Sequence, residues 1–212
     1  MDENHLTIFF NRNNNNNNNN NIFINDKKRL QDFFATNRVF KNVFKGVYAM
    51  DEFDHINLNK HNKCLIIFNS ITRHSPKKIG HWLALFSQRN KDGLLIITFV
   101  DSFGLNITRY NPILKKYVNK HQPHIKHFYY NDFPLQSDNS YVCGAYICFI
   151  TEKLMSGLHL GDINKKFFKK NDRIFNDRLV VSYIRKNWPL KYCNMQFCPM
   201  ETYNAKCFNC KC

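Results

Sequence analysis

The stretch Gln136–Gly144 reads QSDNSYVCG and runs directly into a long apolar segment. Residues 143–155, CGAYICFITEKLM, are apolar almost all round, and Gly157 follows them. Apolar residues on every side are typical of a helix buried in the core, and a glycine just beyond the last turn is a common helix stop. The sequence therefore predicts a buried helix that begins at Cys143.

The position of Cys143 at the start of this predicted helix has a chemical consequence. The helix macrodipole and the N–H groups of the first turn favour an anion there, and a thiolate is the nucleophilic form of cysteine. A single cysteine in an apolar helix is nevertheless more often a small buried hydrophobic residue, a description that also fits Cys64 and Cys148. The assignment of Cys143 as a nucleophile therefore depends on partners elsewhere in the chain.

His81 and Asp101 lie at the ends of two predicted strands. Residues 82–86 and 94–100 are short apolar runs typical of strands, and residues 91–93 (KDG) between them indicate a hairpin turn. The hairpin brings His81 and Asp101 to neighbouring positions at one edge of the sheet. A nucleophilic cysteine requires an imidazole that moves a proton and a group that fixes the imidazole tautomer. Taken alone, His81 also fits a partly buried structural histidine, and Asp101 fits a turn former.

Gln136 lies seven residues before Cys143, and the loop between them can fold back. The Gln136 amide N–H then faces the carbonyl oxygen of a substrate, with the Cys143 backbone N–H as the second donor. Gln136 alone is uninformative. The joint occurrence of all four residues in this order predicts a thiol-protease site made of His81, Asp101, Gln136 and Cys143, which requires no cofactor for its chemistry.

These motifs resemble those of the adenovirus endopeptidase (adenain) family and its relatives in the clan that also contains the SUMO-deconjugating proteases. Gln136–Gly144 resembles the adenain pattern Q-x-x-N-S-x-x-C-G, including the seven-residue step from Gln to Cys. Residues 80–82 (GHW) resemble V-H-W, and residues 101–104 (DSFG) resemble E-P-F-G. Asp101 stands where adenain has Glu, and Asp-Ser is the SUMO-protease form. Papain-like enzymes place Cys before His, and the only His after Cys143 is His159, so that family does not fit.

The resemblance covers about residues 40–190 and carries expectations for fold and activity. It implies an α+β fold in which a mixed central sheet packs against the buried helix that carries Cys143. It implies a cysteine endopeptidase that cleaves polypeptides next to glycine, processing structural precursors of a virus or a virus-like transposon in the host nucleus or the virion. Adenain is stimulated by DNA and by a viral peptide, so DNA and an activating peptide are implied as partners. A ubiquitin-like-protein (SUMO-type) deconjugating protease is the alternative within the clan.

The charge balance favours polyanionic partners. The chain has 31 Lys and Arg against 16 Asp and Glu, a formal net charge of +15, which predicts attraction to nucleic acid without indicating a fold. The basic residues form short clusters, at 27–29, 77–78, 115–116, 165–166 and 169–170. No single recognition helix is therefore marked out. A merely solvated basic surface is the alternative, and a nucleic-acid-binding protein with a vestigial protease site is the alternative of another class.

The two ends of the chain differ in composition from the middle. Residues 13–21 are an unbroken Asn run, so we expect residues 1–21 to be disordered. Residues 22–192 are the predicted protease domain, and residues 193–212 form a cysteine-rich tail. The tail contains Cys207-x-x-Cys210 and Cys193-x4-Cys198, and this loose spacing favours free thiols or an oxidised disulfide over a structural zinc site.

Targeting and metal-binding signals are weak in the rest of the chain. The opening MDENHLTIFF lacks the features of a signal peptide, and no segment reaches the apolar length needed to span a bilayer. We therefore expect an intracellular protein without membrane contact, and reduced cysteines. The motif His121-x-x-His124-x-x-His127 contains Pro123, which spoils a helical face, so a basic loop is expected there in place of a metal site.

Overall fold

A five-stranded sheet organises the chain in the computed structural model, which describes residues 27–76, 80–110 and 112–187. The strands are β1 (Phe44–Tyr48), β2 (Lys63–Asn69), β3 (Trp82–Arg89), β4 (Leu95–Val100) and β5 (Ile125–Tyr130). The α-helices are α1 (Lys27–Thr36), α2 (Pro112–His121), α3 (Cys143–Met155), α4 (Leu160–Phe167) and α5 (Arg173–Asn187). Short 3-10 helices span Leu58–Lys60, Ile107–Arg109 and Gln122–His124.

The sheet is mixed, and its strands follow chain order from β1 to β5. β1 pairs with β2 in parallel, β2–β3 and β3–β4 are antiparallel, and β4 pairs with β5 in parallel. Parallel neighbours need a long crossover, and the segment between β4 and β5 contains α2. The predicted α+β class with a mixed central sheet is confirmed.

The β3–β4 hairpin has the predicted turn. Asn90 N donates to Leu94 O at 2.8 Å, and Gly93 N donates to Asn90 O at 3.1 Å. Gly93 has a φ of +77°, a conformation that glycine adopts without steric cost. Because Ala84 pairs with Val100, the start of β3 lies beside the end of β4. The residues that flank these two positions therefore meet at one edge of the sheet.

Two hydrophobic cores lie on the two faces of the sheet. One contains buried residues of α1, α3 and α5 against alternate residues of β2 and β3, and the other contains buried residues of α2 against the intervening ones. A strand that is buried on both faces needs an apolar residue at nearly every position, which explains the continuous run CLIIF in β2. Every residue of α3 from Cys143 to Thr151 is buried. The predicted buried helix is confirmed, with Cys143 as its first residue.

The expected loop at His121–His127 is wrong. His121 ends α2, residues 122–124 form a 3-10 helix, and His127 lies in β5. Pro123 is accommodated because the first turn of a helix does not use the proline's missing N–H. The buried His121 ring contacts Tyr117 O at 3.0 Å through Nδ1 and accepts from Leu58 N through Nε2. Within the described ranges, no group of three or more His, Cys, Asp or Glu side chains is arranged to hold a metal ion.

Other expectations fall outside the described ranges. The Asn run, the tail cysteines and the domain limits at residues 21 and 192 therefore stay predictions. Helix α1 buries Leu30, Phe33 and Phe34. None of the helices in the described part of the chain is both long and apolar enough to cross a membrane.

Candidate active site

The structure brings His81, Asp101 and Cys143 together where the β3–β4 hairpin meets the start of α3. His81 immediately precedes β3, Asp101 immediately follows β4, and all three side chains are at least nine-tenths buried. His81 Nε2 lies 2.7 Å from Asp101 Oδ1, and the Cys143 side chain is hydrogen-bonded to the His81 ring. Because the carboxylate engages Nε2, Nδ1 is the ring nitrogen left for the thiol. The three groups form one hydrogen-bonded series from carboxylate to imidazole to sulfur.

The Asp101 carboxylate is held by the loop that follows it. Oδ1 also accepts from Phe103 N at 2.9 Å, and Oδ2 accepts from Leu105 N at 2.7 Å and from the Tyr110 hydroxyl at 2.8 Å. Burial and the neighbouring Asp101 charge raise the pKa of Tyr110 well above its usual range, so Tyr110 remains a hydroxyl donor. Four donors, His81 included, fix the carboxylate in the orientation that selects one imidazole tautomer.

The electrostatics of the site keep a proton on His81. Burial lowers the pKa of His81, but the hydrogen bonds to Asp101 and Cys143, with the charges of both groups, outweigh burial and raise it to about 10. At neutral pH the imidazole is therefore protonated. A protonated imidazole beside a cysteine stabilises the thiolate form of that cysteine.

Packing fixes the position of the imidazole as well. The Phe103 ring lies with its centroid 4.5 Å from the His81 ring centroid at an interplanar angle of 34°. On the backbone side, His81 N donates to Ser70 Oγ at 2.8 Å, and Ser70 N donates to His81 O at 2.8 Å. The ring is thus held between one aromatic side chain and the Asp101 carboxylate.

Cys143 has the helix-terminal position that the sequence predicts. It is the first residue of α3, and Val142 is the N-cap residue, whose side chain offers no oxygen to the first-turn amides. The positive end of the helix dipole therefore acts on the sulfur without a capping side chain in between.

Gln136 lies between the segment that follows Asp101 and the loop that precedes Cys143, and it is almost fully buried. Its Nε2 donates to Ser140 O at 2.6 Å, and its Oε1 accepts from the Ser102 hydroxyl at 2.6 Å. The Ser140 carbonyl can only accept, so the amide nitrogen must face it. An amide nitrogen carries two hydrogens, and the bond to Ser140 uses one of them. The structure thus joins Gln136 to the Asp101 segment and to the loop before Cys143, while its role as an oxyanion donor stays a prediction.

Sequence reasoning gave no role to several residues that complete the site. Gly104 has a φ of +66°, and a Cβ on it would lie 2.3 Å from the carbonyl atoms of Phe133. Only glycine therefore allows the loop after β4 to approach the loop after β5 so closely. The motif DSFG at residues 101–104 could have indicated a role for Ser102, Phe103 and Gly104 in the site. No sequence pattern indicates Tyr110, because its contact with Asp101 depends on the path of the intervening loop.

No protein-family model and no curated protein matches the chain. Two solved structures of a viral enzyme are similar to it. A crystal structure of the ASFV pS273R protease shares 16% identity over 75% of this chain and 66% of the other, with a TM-score of 0.43. A selenomethionine crystal structure of the same protease shares 18% identity over 56% of this chain and 43% of the other, with a TM-score of 0.36. The chain spans less than two thirds of the length of either protease chain.

Proposed function

We propose that this protein is a cysteine endopeptidase. Cys143 is the nucleophile, His81 the general base and acid, Asp101 the group that orients His81, and Gln136 a donor to the oxyanion. The observation that carries the proposal is the hydrogen-bonded series of Asp101, His81 and Cys143 at the start of a buried helix. A structural histidine or cysteine does not require a partner aligned on each side of one imidazole.

Acylation follows from this geometry. The Cys143 thiolate attacks the carbonyl carbon of the scissile peptide, a C–S bond forms, and the carbonyl π electrons move to oxygen. The Gln136 Nε2–H and the Cys143 backbone N–H are the proposed donors to this oxyanion. Protonated His81 then gives its proton to the leaving nitrogen as the C–N bond breaks. The products of this step are a thioester on Cys143, a free amine and neutral His81.

Deacylation returns the site to its starting state. Neutral His81 removes a proton from water, and the resulting hydroxide attacks the thioester carbonyl. Collapse of this second tetrahedral intermediate breaks the C–S bond, which releases a carboxylic acid and the Cys143 thiolate beside protonated His81. Asp101 holds the His81 imidazole in one orientation through both steps, because the Asp101 oxygens stay bonded to the backbone N–H groups of Phe103 and Leu105.

The finer proposal concerns substrate and setting. We propose cleavage next to glycine in structural precursor proteins of a virus or virus-like transposon, in the host nucleus or the virion, with DNA and a peptide as activators. The similarity of residues 136–144 to the adenain pattern supports this substrate class. The formal charge of +15 supports DNA as a partner. Deconjugation of a ubiquitin-like protein is the second candidate, and the Asp101-Ser102 pair, the SUMO-protease form, favours it.

The test of the proposed function is labelling and turnover by the full chain. A peptide vinyl sulfone should modify Cys143. Burial raises the pKa of Cys64 to about 12 and the pKa of Cys148 well above its usual range, so these two thiols should remain unlabelled in a tryptic map. A fluorogenic peptide with a Gly-Gly core should be cleaved, and a SUMO conjugate tested beside it decides between the two protease candidates. Salt-sensitive DNA binding with no labelling of Cys143 would overturn the protease proposal in favour of a nucleic-acid-binding protein.

A further inference from the structure

A buried carboxylate outside the catalytic set lies beneath the loop that carries Gln136. Asp177, in α5, has no solvent exposure. Its Oδ2 accepts from the Ser137 backbone N–H at 3.3 Å and from the Ser137 hydroxyl, and its Oδ1 lies 2.8 Å from the Tyr146 hydroxyl. Asp177 therefore connects three parts of the fold: helix α5, helix α3 and the residue directly after Gln136.

The Tyr146 hydroxyl has two oxygen neighbours and one hydrogen. It lies 2.9 Å from Leu135 O and 2.8 Å from Asp177 Oδ1. Both oxygens accept from Tyr146, which shares its one hydrogen between the Leu135 carbonyl and the Asp177 carboxyl. Tyr146 therefore links Asp177 to the carbonyl of the residue directly before Gln136.

Burial and hydrogen bonding act on Asp177 in opposite directions. Burial raises the pKa of Asp177, while hydrogen bonds from Ser137, Tyr146 and Ser140 lower it. Arg173, one turn earlier on the same helix, makes a bidentate ion pair with Asp138 at 2.6 and 3.1 Å.

The two residues that flank Gln136 are the ones held by this cluster. Leu135 O accepts from Tyr146 and from Asn176 Nδ2 at 3.2 Å, and the Ser137 side chain and amide are bound by Asp177. A shift of this segment would move the Gln136 amide with it, and a misplacement of about 1 Å at a catalytic group can cost about a hundredfold in rate.

We propose that Asp177 is a positioning residue for Gln136, because it binds Ser137 directly and the Leu135 carbonyl through Tyr146. The inference rests on the proposed function of Gln136 as an oxyanion donor. An asparagine at position 177 keeps an acceptor oxygen toward Ser137 and a hydrogen-bonding group toward Tyr146. An alanine supplies neither and leaves Ser137 and Tyr146 without their buried partner.

The kinetic test compares two substitutions at this one position. Asp177→Asn should keep kcat within about twofold of the parent, and Asp177→Ala should lower kcat by about an order of magnitude, less than loss of the oxyanion donor itself, with KM little changed. Asp138→Ala is the matched control, since it removes an exposed ion pair between the same loop and the same helix. It should leave kcat unchanged. Thermal unfolding of each variant identifies any substitution that prevents folding.

A second readout separates the inference from the proposed function. Amide hydrogen exchange at Ser137 should be as slow in Asp177→Asn as in the parent and faster in Asp177→Ala, whether or not the protein cleaves peptides. In a Gln136→Ala background, Asp177→Ala should cause no further loss of kcat. Parent-like exchange and kcat in Asp177→Ala would overturn the positioning role. An equal loss of protection in the Asn and Ala variants would overturn a positioning role through hydrogen bonds that an amide can also make. Full activity of Gln136→Ala with the expected exchange pattern would instead count against the proposed role of Gln136.

Discussion

The Ser102 hydroxyl donates a 2.6 Å hydrogen bond to Gln136 Oε1, and the Ser102 carbonyl accepts from the Gln136 backbone N–H at 3.0 Å. Ser102 directly follows Asp101, so this one residue connects the segment that carries the carboxylate to the proposed oxyanion donor, Gln136. Two bonds in opposite directions between the same two residues fix both the position of Gln136 and the orientation of its amide.

Ser102→Ala should therefore lower kcat by about tenfold, since a loosely held oxyanion donor loses part of its effect. Loss of the donor also leaves a buried oxygen unpaired, which should reduce the free energy of unfolding by about 1–3 kcal/mol. Steady-state kinetics and urea unfolding measure the two effects. Ser87→Ala is the control, because the Ser87 hydroxyl is buried without a hydrogen-bond partner in the described structure. Equal kcat values for the parent and Ser102→Ala would contradict the coupling.

Cys143→Ala should abolish proteolysis without unfolding the protein, because the substitution removes the sulfur while keeping a small apolar residue in a buried helix. The measurement is peptide cleavage together with circular dichroism. Cys148→Ala, five residues further along the same helix and also buried, should retain activity. Cleavage by purified Cys143→Ala at the parent rate would show that another residue is the nucleophile.

Substitutions of the other three residues should have graded effects. His81→Ala should lose nearly all turnover, and Asp101→Ala should lose less because Asp101 acts through the imidazole. Gln136→Ala should lower kcat by about two to three orders of magnitude if it donates to the oxyanion. Single-turnover kinetics with a fluorogenic peptide measure these rates. A Gln136→Ala variant as active as the parent would remove Gln136 from the site.

The raised pKa of His81 predicts that activity falls only at strongly alkaline pH. Because the pKa of His81 is raised from 6.5 to about 10, activity should persist above neutral pH and decline as the pH rises through about 10. The stabilisation of the fold by protonated His81 is complete below the unfolded pKa of about 6.5 and is lost as the pH rises through the folded value. Cys143→Ala removes one of the groups that raise this pKa, so it should lower the pKa of His81 in an NMR titration. Identical titration of His81 in parent and variant would show that the thiol is not its partner.

DNA stimulation, if it occurs, should act through charge. Lys165, Lys166, Lys169 and Lys170 are exposed, and contacts of such residues with phosphates are independent of base sequence. Any sufficiently long duplex should then raise peptide cleavage at low salt, and the stimulation should fade at high salt while basal activity persists. Substituting these four lysines by Ala should make the salt dependence of DNA binding less steep, whereas substitution by Arg should preserve it. An unchanged rate with DNA at every salt concentration would end the proposal of a DNA activator.

The elements predicted from the sequence are those whose pattern reflects burial alone. β2, β3, β4 and α3 are nearly continuous apolar runs because packing covers them on all sides. β5 was not predicted, since only two of its six residues, Ile125 and Phe128, are partly covered and the rest are exposed. α2 was not predicted because Lys115 and Lys116 separate the buried Leu114 from the buried Tyr117 and Val118. Both elements form because they pair or pack with the rest of the fold, and these contacts outweigh the local preference of their residues.

The same distinction applies to the candidate site. His81, Asp101 and Cys143 could be predicted as neighbours because a short hairpin and a helix start limit where their side chains lie. Gln136 was placed by its spacing from Cys143. Tyr110 and Asp177 could not be predicted, since their contacts cross from one element to another through loops whose paths the sequence does not reveal. Asp177 in particular lies 40 residues from Ser137 along the chain.

The base and its carboxylate belong to one hairpin, while the sulfur belongs to a separate helix that packs on the sheet. The His81–Asp101 pair needs only the hairpin, whereas the proposed site as a whole needs α3 packed against the sheet. The proposed activity should therefore be lost together with the packing of the core.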